Sequence, residues 1–270
     1  MSNINILFVG DVFGKTGREV LSQKLPEILK EYNIDHCIVN GENAAHGKGL
    51  SMQCADEIFA AGADCITMGN HTWDNNDIYQ FIDDYAVIRP VNFAEGLPGK
   101  GYYVIDGPCP VGVLSVQGRV YMEPCDNPFE SAYNAVMNLR SEASVIIVDF
   151  HAEATAEKAA LAYYLDGLVT AVVGTHTHVQ TADERILEQG TAFISDVGMT
   201  GPHNSIIGMD RTAVINKFVR CIPQKFRPAE GEGKLHAVVI KADTETGRAE
   251  EIKRISLDYL LMCDKEVIEV

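Results

Sequence analysis

The sequence predicts an α/β fold, and three observations support that prediction. Short apolar runs rich in Val and Ile alternate with longer segments of helical periodicity along most of the chain. Several of these runs end near a glycine that is followed by Asp, Glu, Asn or His. No internal repeat and no low-complexity linker interrupts the pattern, so we expect a single domain over residues 1–270.

The composition restricts the classes of function. Of the 270 residues, 46% are hydrophobic, which is enough for a full buried core. The formal net charge is -16, from 38 acidic and 22 basic residues, and this disfavours a partner such as duplex DNA or RNA. An acidic chain that handles phosphate needs imported positive charge, which bound metal ions can supply.

Targeting signals and membrane segments are not evident in the sequence. Met1 leads into a strand without a basic segment followed by an apolar one, and no apolar run approaches the roughly 20 residues of a membrane helix. The seven cysteines form no C-x-x-C pair, which favours a reducing compartment. We expect a cytoplasmic protein without a membrane partner. The cysteines are Cys37, Cys54, Cys65, Cys109, Cys125, Cys221 and Cys263.

The first unit is a strand followed by a helix. The strand ends at Gly10-Asp11, and the helix is predicted to start near Thr16, with the hydroxyl as its cap and Glu19 three positions later. Asp11 falls just beyond the strand, where open α/β sheets present their ligands. An ordinary turn aspartate is the alternative. A phosphate-binding P-loop is excluded, because Gly10 is one residue too close to the Gly-Lys-Thr sequence that begins at Gly14.

The second unit repeats the pattern. Its strand, which begins near Cys37, ends at a glycine followed by Glu42 and Asn43. A carboxylate between two cations can bridge them and reduce their repulsion, so Glu42 is the candidate bridge. In the glycine-containing loop that follows, His46 and Lys48 are candidate substrate contacts or solvated side chains.

The third unit carries the most specific short motif, Gly69-Asn70-His71 at the end of a strand. Asn70 can give a metal its amide oxygen, and His71 is then free to handle a proton. Asp74 could orient the His71 ring or cap a helix predicted over residues 76–84.

The middle of the chain is predicted to form short strands and two helices. The strands cover residues 87–91, 101–105 and 111–116, and a helix follows from Pro128. The next strand, residues 144–150, ends at His151, and a helix over residues 156–165 comes after it.

The following apolar run, Leu168 to Val173, predicts a buried strand that leads to His176-Thr177-His178. On an extended backbone two residues that are two positions apart point the same way, so these imidazoles could clamp one or two metal ions. Taken alone, the pair also fits two solvated loop histidines. A strand over residues 191–196 leads to a loop with His203, and two antiparallel strands, residues 235–241 and 249–257, close the chain.

The order of these blocks over residues 1 to about 200 resembles the calcineurin-like metallophosphoesterases. Longer strings, such as Gly10 to Arg18 and Gly174 to Asp183, are similar to the bacterial YmdB-like branch of that superfamily. The resemblance implies an α/β/β/α sandwich with mixed sheets, and a cytoplasmic 2′,3′-cyclic-nucleotide 2′-phosphodiesterase with a di-iron centre. Phe13 departs from the superfamily, which usually has a histidine ligand there, and Glu42 stands where aspartate is usual.

Carried over by position, the resemblance gives two sets of ligands. The first metal would be held by Asp11, Glu42, Asn43 and His178, and the second by Glu42, Asn70, His151 and His176. His71 matches the family's proton donor, and His46 and His203 are added as candidate substrate contacts. Oxygen and nitrogen donors without cysteine suit iron, manganese or zinc, and the resemblance implies iron as the first choice.

The implied reaction is attack on phosphorus by a hydroxide that two metals activate, while a histidine acid protonates the departing ribose oxygen. The partner would be a cyclic nucleotide or another small phosphodiester, and we expect a homo-oligomer. Two other functions stay open at this point. One is a regulatory protein that binds a nucleotide or RNA end with little turnover, and the other is a phosphomonoesterase.

Overall fold

The computed structural model describes residues 3–260 and contains two mixed β-sheets with helices. This confirms the α/β prediction. Met1 and Cys263, which entered the sequence-based predictions, lie outside the described residues. The strands are β1 (Asn3–Val9), β2 (Asp11–Val12), β3 (His36–Asn40), β4 (Cys65–Thr67), β5 (Val87–Ile88), β6 (Tyr102–Ile105), β7 (Val111–Gln117), β8 (Val145–His151), β9 (Ala171–Thr175), β10 (Arg185–Ile186), β11 (Ala192–Ile194), β12 (Met199–Pro202), β13 (Gly233–Asp243) and β14 (Ala249–Tyr259).

The helices connect these strands and cover the sheets. They are α1 (Gly14–Glu31), α2 (Met52–Ala61), α3 (Pro128–Leu139), α4 (Thr155–Tyr164) and α5 (Arg211–Arg220), with a 3-10 helix at Asn76–Gln80. Across residues 3–260, none of them has the length and apolar character that crossing a membrane requires.

The order of strands places the ends of several strands at a common edge. The first sheet runs β2-β12-β13-β1-β3-β4-β5, with β14 paired to β13, and β1, β3, β4 and β5 are parallel. The second sheet runs β10-β11-β9-β8-β7-β6, and β7, β8 and β9 are parallel. Because the carboxyl ends of parallel strands meet at one edge, the loops after β1, β3 and β4 lie together, as do those after β8 and β9.

Three hydrophobic clusters hold the described chain together. One contains residues of both sheets, such as Phe8 of β1 and Ile147 of β8, which pack against each other's sheet. A second joins Leu7 and other residues of the first sheet to α1 and α2, and the third joins Val148 and its neighbours to α3 and α4. Both sheets are therefore apolar on their two faces, as expected for buried parallel strands.

The start of α1 differs from the prediction. The helix begins at Gly14, its N-cap is Phe13, and no side chain caps it. Gly14 has a φ of +60°, which glycine adopts without steric cost, so the chain turns into the helix two residues earlier than Thr16. Thr16 is buried in the first turn, and the predicted cap with Glu19 is wrong.

Two other segments also differ from the sequence-based expectation. The helix predicted over residues 76–84 is a short 3-10 helix, capped by the side chain of Asn75. Helix α5 was not predicted. It buries only Val214 and leaves Phe218 and Val219 largely exposed, so its apolar residues do not mark a face towards a core.

Candidate metal centre

The candidate ligands come from five strand ends and meet in one place. Asp11 follows β1, Glu42 and Asn43 follow β3, and Asn70 follows β4. His151 ends β8, and His176 and His178 follow β9. The backbone N–H of His176 donates to Asp11 Oδ2 at 3.3 Å and so joins the two sheets. Within the first sheet, the backbone N–H of His71 donates to Glu42 Oε2 at 3.2 Å. The predicted convergence of these residues is therefore observed.

The inner nitrogen of His151 is the centre of one group of ligand atoms. Its Nδ1 lies 2.8 Å from Thr175 Oγ1, and that hydroxyl in turn donates to Asp149. His151 Nδ1 is therefore a donor, so Nε2 carries a lone pair in the neutral imidazole and a proton in the charged one. Around Nε2 lie Glu42 Oε1 at 2.9 Å, Asn70 Oδ1 at 2.9 Å and His176 Nδ1 at 3.0 Å.

The outer nitrogen of His176 completes the same arrangement. His176 Nε2 lies 3.2 Å from Glu153 Oε2, which fixes a proton there and leaves Nδ1 as a lone pair towards His151. When His151 is neutral, lone pairs of two imidazoles, an amide and a carboxylate therefore converge in one place. A metal cation can accept all of these lone pairs. In addition, Thr175 and Glu153 hold the outer nitrogens of the two imidazoles, as is typical of metal-binding histidines.

His178 belongs to a second group of ligand atoms. Its Nδ1 donates to the carbonyl of Ile207 at 2.9 Å, so Nε2 carries a lone pair. That atom lies 3.3 Å from Asn43 Oδ1 and 3.9 Å from Asp11 Oδ1. The Asn43 amide is oriented by its Nδ2, which donates to the carbonyl of Gly47 at 3.0 Å. The ring of Phe13 packs edge to face with that of His178, with 5.5 Å between the two ring centroids.

The carboxylates of the centre are buried and incompletely paired. Asp11 Oδ1 and Glu42 Oε1 have no hydrogen-bond partner among the described residues, although Glu42 Oε1 is close to His151 Nε2. Buried charges of this kind are paired or coordinate metals in proteins. The unpaired oxygens therefore fit a pair of cations, with Glu42 between the two groups.

In the protein without metal, the pKa values of these groups reflect their burial and the closeness of carboxylates and imidazoles. Burial raises the pKa of Asp11 well above its ordinary value. Burial is the largest single influence on Glu42 and acts to raise its pKa, but the charges of His151 and His71 and the hydrogen bonds from both together lower that pKa to about 2. Burial is also the largest influence on His151 and acts to lower its pKa, but the charges of Glu42, Asp11 and Asp149 and the contact with Glu42 together raise it to about 9. The pKa of His176 falls to about 3, because of burial and then the charge of His151.

The backbone at His176 and His178 is not extended, contrary to the prediction. Their φ angles are +95° and +67°, in the region that non-glycine residues rarely adopt. The two imidazoles face the centre because of this bend and not because of strand alternation. Strain of this kind persists only where the surrounding structure holds it.

A buried ion pair holds the bent loop. Lys158 Nζ donates to Asp196 Oδ2 at 2.7 Å and to the carbonyl of Thr175 at 2.8 Å. The same Asp196 oxygen accepts from the backbone N–H and the hydroxyl of Thr177, at 3.1 and 2.8 Å. The ion pair therefore fixes the residues on either side of His176.

Replacing Lys158 with methionine should lower the free energy of unfolding by about 3–5 kcal/mol, because it leaves the carboxylate of Asp196 buried without its cation. Chemical denaturation measures this. The control is Lys15→Met, which removes an exposed lysine 3.5 Å from Glu19 and should change stability by no more than about 0.5 kcal/mol. Equal effects of the two substitutions would show that the buried pair does not stabilise the loop.

Gly69 leaves space that the centre needs. A Cβ at this position would lie 2.3 Å from the ring of His151 and 2.5 Å from Glu42 Oε2. Even alanine would displace one of these side chains. The motif Gly69-Asn70-His71 therefore begins with glycine because His151 and Glu42 lie against the backbone at this position.

His71 lies beside the centre and is oriented by a carboxylate. His71 Nδ1 lies 2.9 Å from Asp74 Oδ2, and Lys48 Nζ is 3.9 Å from the same oxygen. Asn75 caps the 3-10 helix, so Asp74 is associated with the His71 ring and not with the helix terminus. His71 Nδ1 thus contacts a carboxylate, and Nε2 is the nitrogen left for a substrate.

A cavity of about 480 Å³ gives access to the centre. Glu42, Asn43, His71, His176 and His178 line one side of it. The other side is an apolar wall from the segment after β12, which includes helix α5. The side chains of this wall are Ile206, Ile207, Met209, Val214, Phe218 and Phe226.

A family comparison decides the classification. The model of a family described as YmdB-like protein matches residues 7–255. The chain belongs to the YmdB-like family.

Individual relatives of this YmdB-like chain cover almost its whole length. A Bacillus subtilis protein named 2′,3′-cyclic-nucleotide 2′-phosphodiesterase is 49% identical over 257 residues, which are 94% of this chain and 97% of the relative. A crystal structure of a hypothetical protein from Thermus thermophilus has a TM-score of 0.89 at 39% identity, with 94% and 99% of the two chains covered. A structure titled a novel phosphatase, from Mycoplasma pneumoniae, has a TM-score of 0.90 at 35% identity, with 96% and 94% covered. The resemblance inferred from the sequence motifs is thereby confirmed.

Two of the predicted site residues of the YmdB-like chain lie away from the cavity. His46 is exposed and does not line it. His203 is also exposed, and its ring packs against that of His236, with 3.4 Å between the two Nε2 atoms. Lys48, from the same loop as His46, does line the cavity.

Sequence reasoning missed several residues that organise the YmdB-like centre. Asp149 is buried and accepts hydrogen bonds from Thr175, Thr67 and Asn40, so it fixes the hydroxyl that orients His151. A signal was present, because Asp149 lies two positions before His151 on one strand and therefore on the same face. The association of Lys158 with Asp196 had no comparable signal in the sequence.

Proposed function

We propose that this chain hydrolyses 2′,3′-cyclic nucleotides at the 2′ P–O bond and releases 3′-nucleotides. The convergence of imidazole nitrogens, amide oxygens and buried carboxylate oxygens beside His71 is the observation that carries the proposal. The match to the Bacillus subtilis phosphodiesterase, at 49% identity over nearly the whole chain, supports the reaction class and the substrate.

The contacts support the two ligand sets that the family resemblance implies. Asp11, Asn43 and His178 would hold one ion, Asn70, His151 and His176 the other, and Glu42 both. Two bound cations would supply positive charge to the phosphoryl oxygens and lower the pKa of the attacking water. We infer iron, with manganese or zinc as alternatives, because carboxylate, amide and imidazole donors suit hard to borderline ions.

His71 acts as the general acid in this proposal. The attacking water loses a proton to solvent and forms a new P–O bond, the bond from phosphorus to the 2′ oxygen breaks, and His71 Nε2 gives its proton to that oxygen. Asp74 Oδ2 lies 2.9 Å from Nδ1 and orients the ring. Without a proton the departing alkoxide would be a poor leaving group.

Product analysis tests the proposal. The chain, supplied with metal, is incubated with a 2′,3′-cyclic nucleotide, and the 2′- and 3′-monophosphates are separated by chromatography. We expect many equivalents of the 3′-nucleotide per chain. Formation of the 2′-nucleotide would contradict the assigned bond, and consumption of no more than one equivalent would indicate a binding protein.

A phosphomonoesterase is the second candidate function, because the similar Mycoplasma pneumoniae structure is titled a phosphatase. Incubation of the same preparation with 3′- and 5′-nucleotides separates the two. Under our proposal these nucleotides are converted to nucleosides much more slowly than the cyclic nucleotide is hydrolysed.

Other expectations extend the same proposal. The three hydrophobic clusters support a four-layer α/β/β/α order in which one cluster lies between the sheets and the others lie under the helices. We infer a cytoplasmic location from the free cysteines among residues 3–260. A homo-oligomer stays a prediction.

A further inference from the structure

A second cavity, of about 540 Å³, shares Asn70 with the metal centre and none of the other candidate ligands. It is formed by the loop after β4, the end of β7 and the segments near Phe93 and Glu123. The residues that matter for its chemistry are Asn70, Trp73, Phe93, Gln117, Glu123 and Asp126.

Gln117 brings an unused hydrogen-bond acceptor to this cavity. The residue is only 1% exposed, and Asn92 fixes its backbone by accepting from its N–H at 2.9 Å and donating to its carbonyl at 2.8 Å. Its Nε2 donates to the carbonyl of Glu123 at 3.1 Å, which fixes the orientation of the amide. Oε1 is left without a partner among the described residues. A buried carbonyl without a donor is costly, so a ligand N–H at this position would be stabilising.

The remaining lining selects for a flat, uncharged ring. Trp73 and Phe93 offer aromatic surface, and the plane of Trp73 is held by stacking on Tyr79 at 5.2 Å. No Lys, Arg or His lies among the lining residues that the structure describes, whereas Glu123 and Asp126 bring negative charge. Aromatic side chains bind nucleobases by stacking, and the carboxylates disfavour a phosphate in the same space.

We propose that this second cavity binds a nucleobase with an exocyclic amino group, which donates to Gln117 Oε1 while the ring packs against Trp73 and Phe93. That this base is part of a cyclic nucleotide rests on the proposed function. Because Asn70 belongs to both places, a base in the second cavity and a phosphate at the metal centre can belong to one substrate.

The apolar wall of the first cavity does not explain base selection. Phe218 and Phe226 can contact any base, but their side chains have no polar atom that distinguishes one base from another. Gln117 combines burial, a fixed orientation and a free acceptor, and is therefore the residue expected to determine specificity.

Trp73 makes the proposal directly testable, because it is the only tryptophan in the chain. Its fluorescence is followed while adenosine, or purine riboside, which lacks only the amino group, is added to the full-length protein. We expect both nucleosides to change the signal and adenosine to bind about tenfold more tightly, the value of roughly one hydrogen bond to a buried acceptor. Gln117→Met should reduce adenosine affinity to that of purine riboside. The control Phe218→Ala should preserve the tenfold ratio.

Equal binding of the two nucleosides to the unaltered protein, or no binding of either by fluorescence and calorimetry, would overturn the proposal. So would an unchanged ratio in Gln117→Met. If that variant does not show cooperative thermal unfolding, the ratio measured with the unaltered protein decides. The nucleosides carry no phosphate, so these results are independent of hydrolysis, and failure to hydrolyse cyclic nucleotides would instead count against the proposed function.

Discussion

Replacing Glu42 with glutamine is expected to reduce hydrolysis of a 2′,3′-cyclic nucleotide by at least about 1,000-fold and to remove bound metal. Glutamine keeps the size of the side chain but removes the charge that would lie between two cations. Oε1 of Glu42 is buried, and it lies 2.9 Å from Nε2 of His151, another of the proposed metal ligands. The metal content per chain and the turnover number are measured on the same preparation.

The control for this variant is Glu19→Gln, which removes a carboxylate from the surface of α1 and should change neither quantity. Thermal unfolding of the Glu42 variant establishes that it is folded. A folded Glu42→Gln protein that keeps both its metals and its activity would contradict the role of Glu42 as the shared ligand.

Replacing His71 with alanine is expected to have a different signature. Metal content should not change, because His71 contributes only its backbone N–H to Glu42 and its ring is associated with Asp74. The turnover number should fall about 10²–10⁴-fold, the usual contribution of a positioned general acid. The loss should be much smaller for a substrate whose leaving group is a phenolate, because that group needs no proton to depart.

His36→Ala is the matched control for the His71 variant. His36 begins the strand whose other end leads to Glu42, and it is paired with Asp64 at 3.7 Å. This substitution should leave turnover unchanged on both substrates. Equal losses on the cyclic nucleotide and on the phenolate ester would show that His71 positions the substrate and does not supply a proton.

The location of the centre was predictable because it depends on strand order. Asp11, Glu42, Asn70 and His151 each follow or end an apolar run, and parallel strands bring such positions to one edge of a sheet. Donor chemistry and spacing were therefore sufficient to predict which side chains meet. The same local signals predicted most strands and the helices α1, α3 and α4, with the start of α3 at Pro128 correct and the start of α1 two residues late.

The remaining features depend on contacts between distant segments. The positive φ angles of His176 and His178 are held by Lys158 and Asp196, and no local pattern indicates that pairing. Helix α5 was missed because its apolar residues face the cavity or solvent instead of a core. Oε1 of Gln117 has no partner because Asn92 binds the backbone of this residue and the carbonyl of Glu123 binds its Nε2. These contacts join segments that are distant in the sequence, so no local pattern predicts them.

The most direct test of the account is the metal dependence of hydrolysis. The protein, purified without added metal, is analysed for metal content, treated with a chelator, and assayed on a 2′,3′-cyclic nucleotide before and after ions are returned. We expect about two ions per chain, loss of activity with their removal, and recovery when iron, manganese or zinc is restored. Undiminished hydrolysis by protein shown to be free of metal would contradict the account.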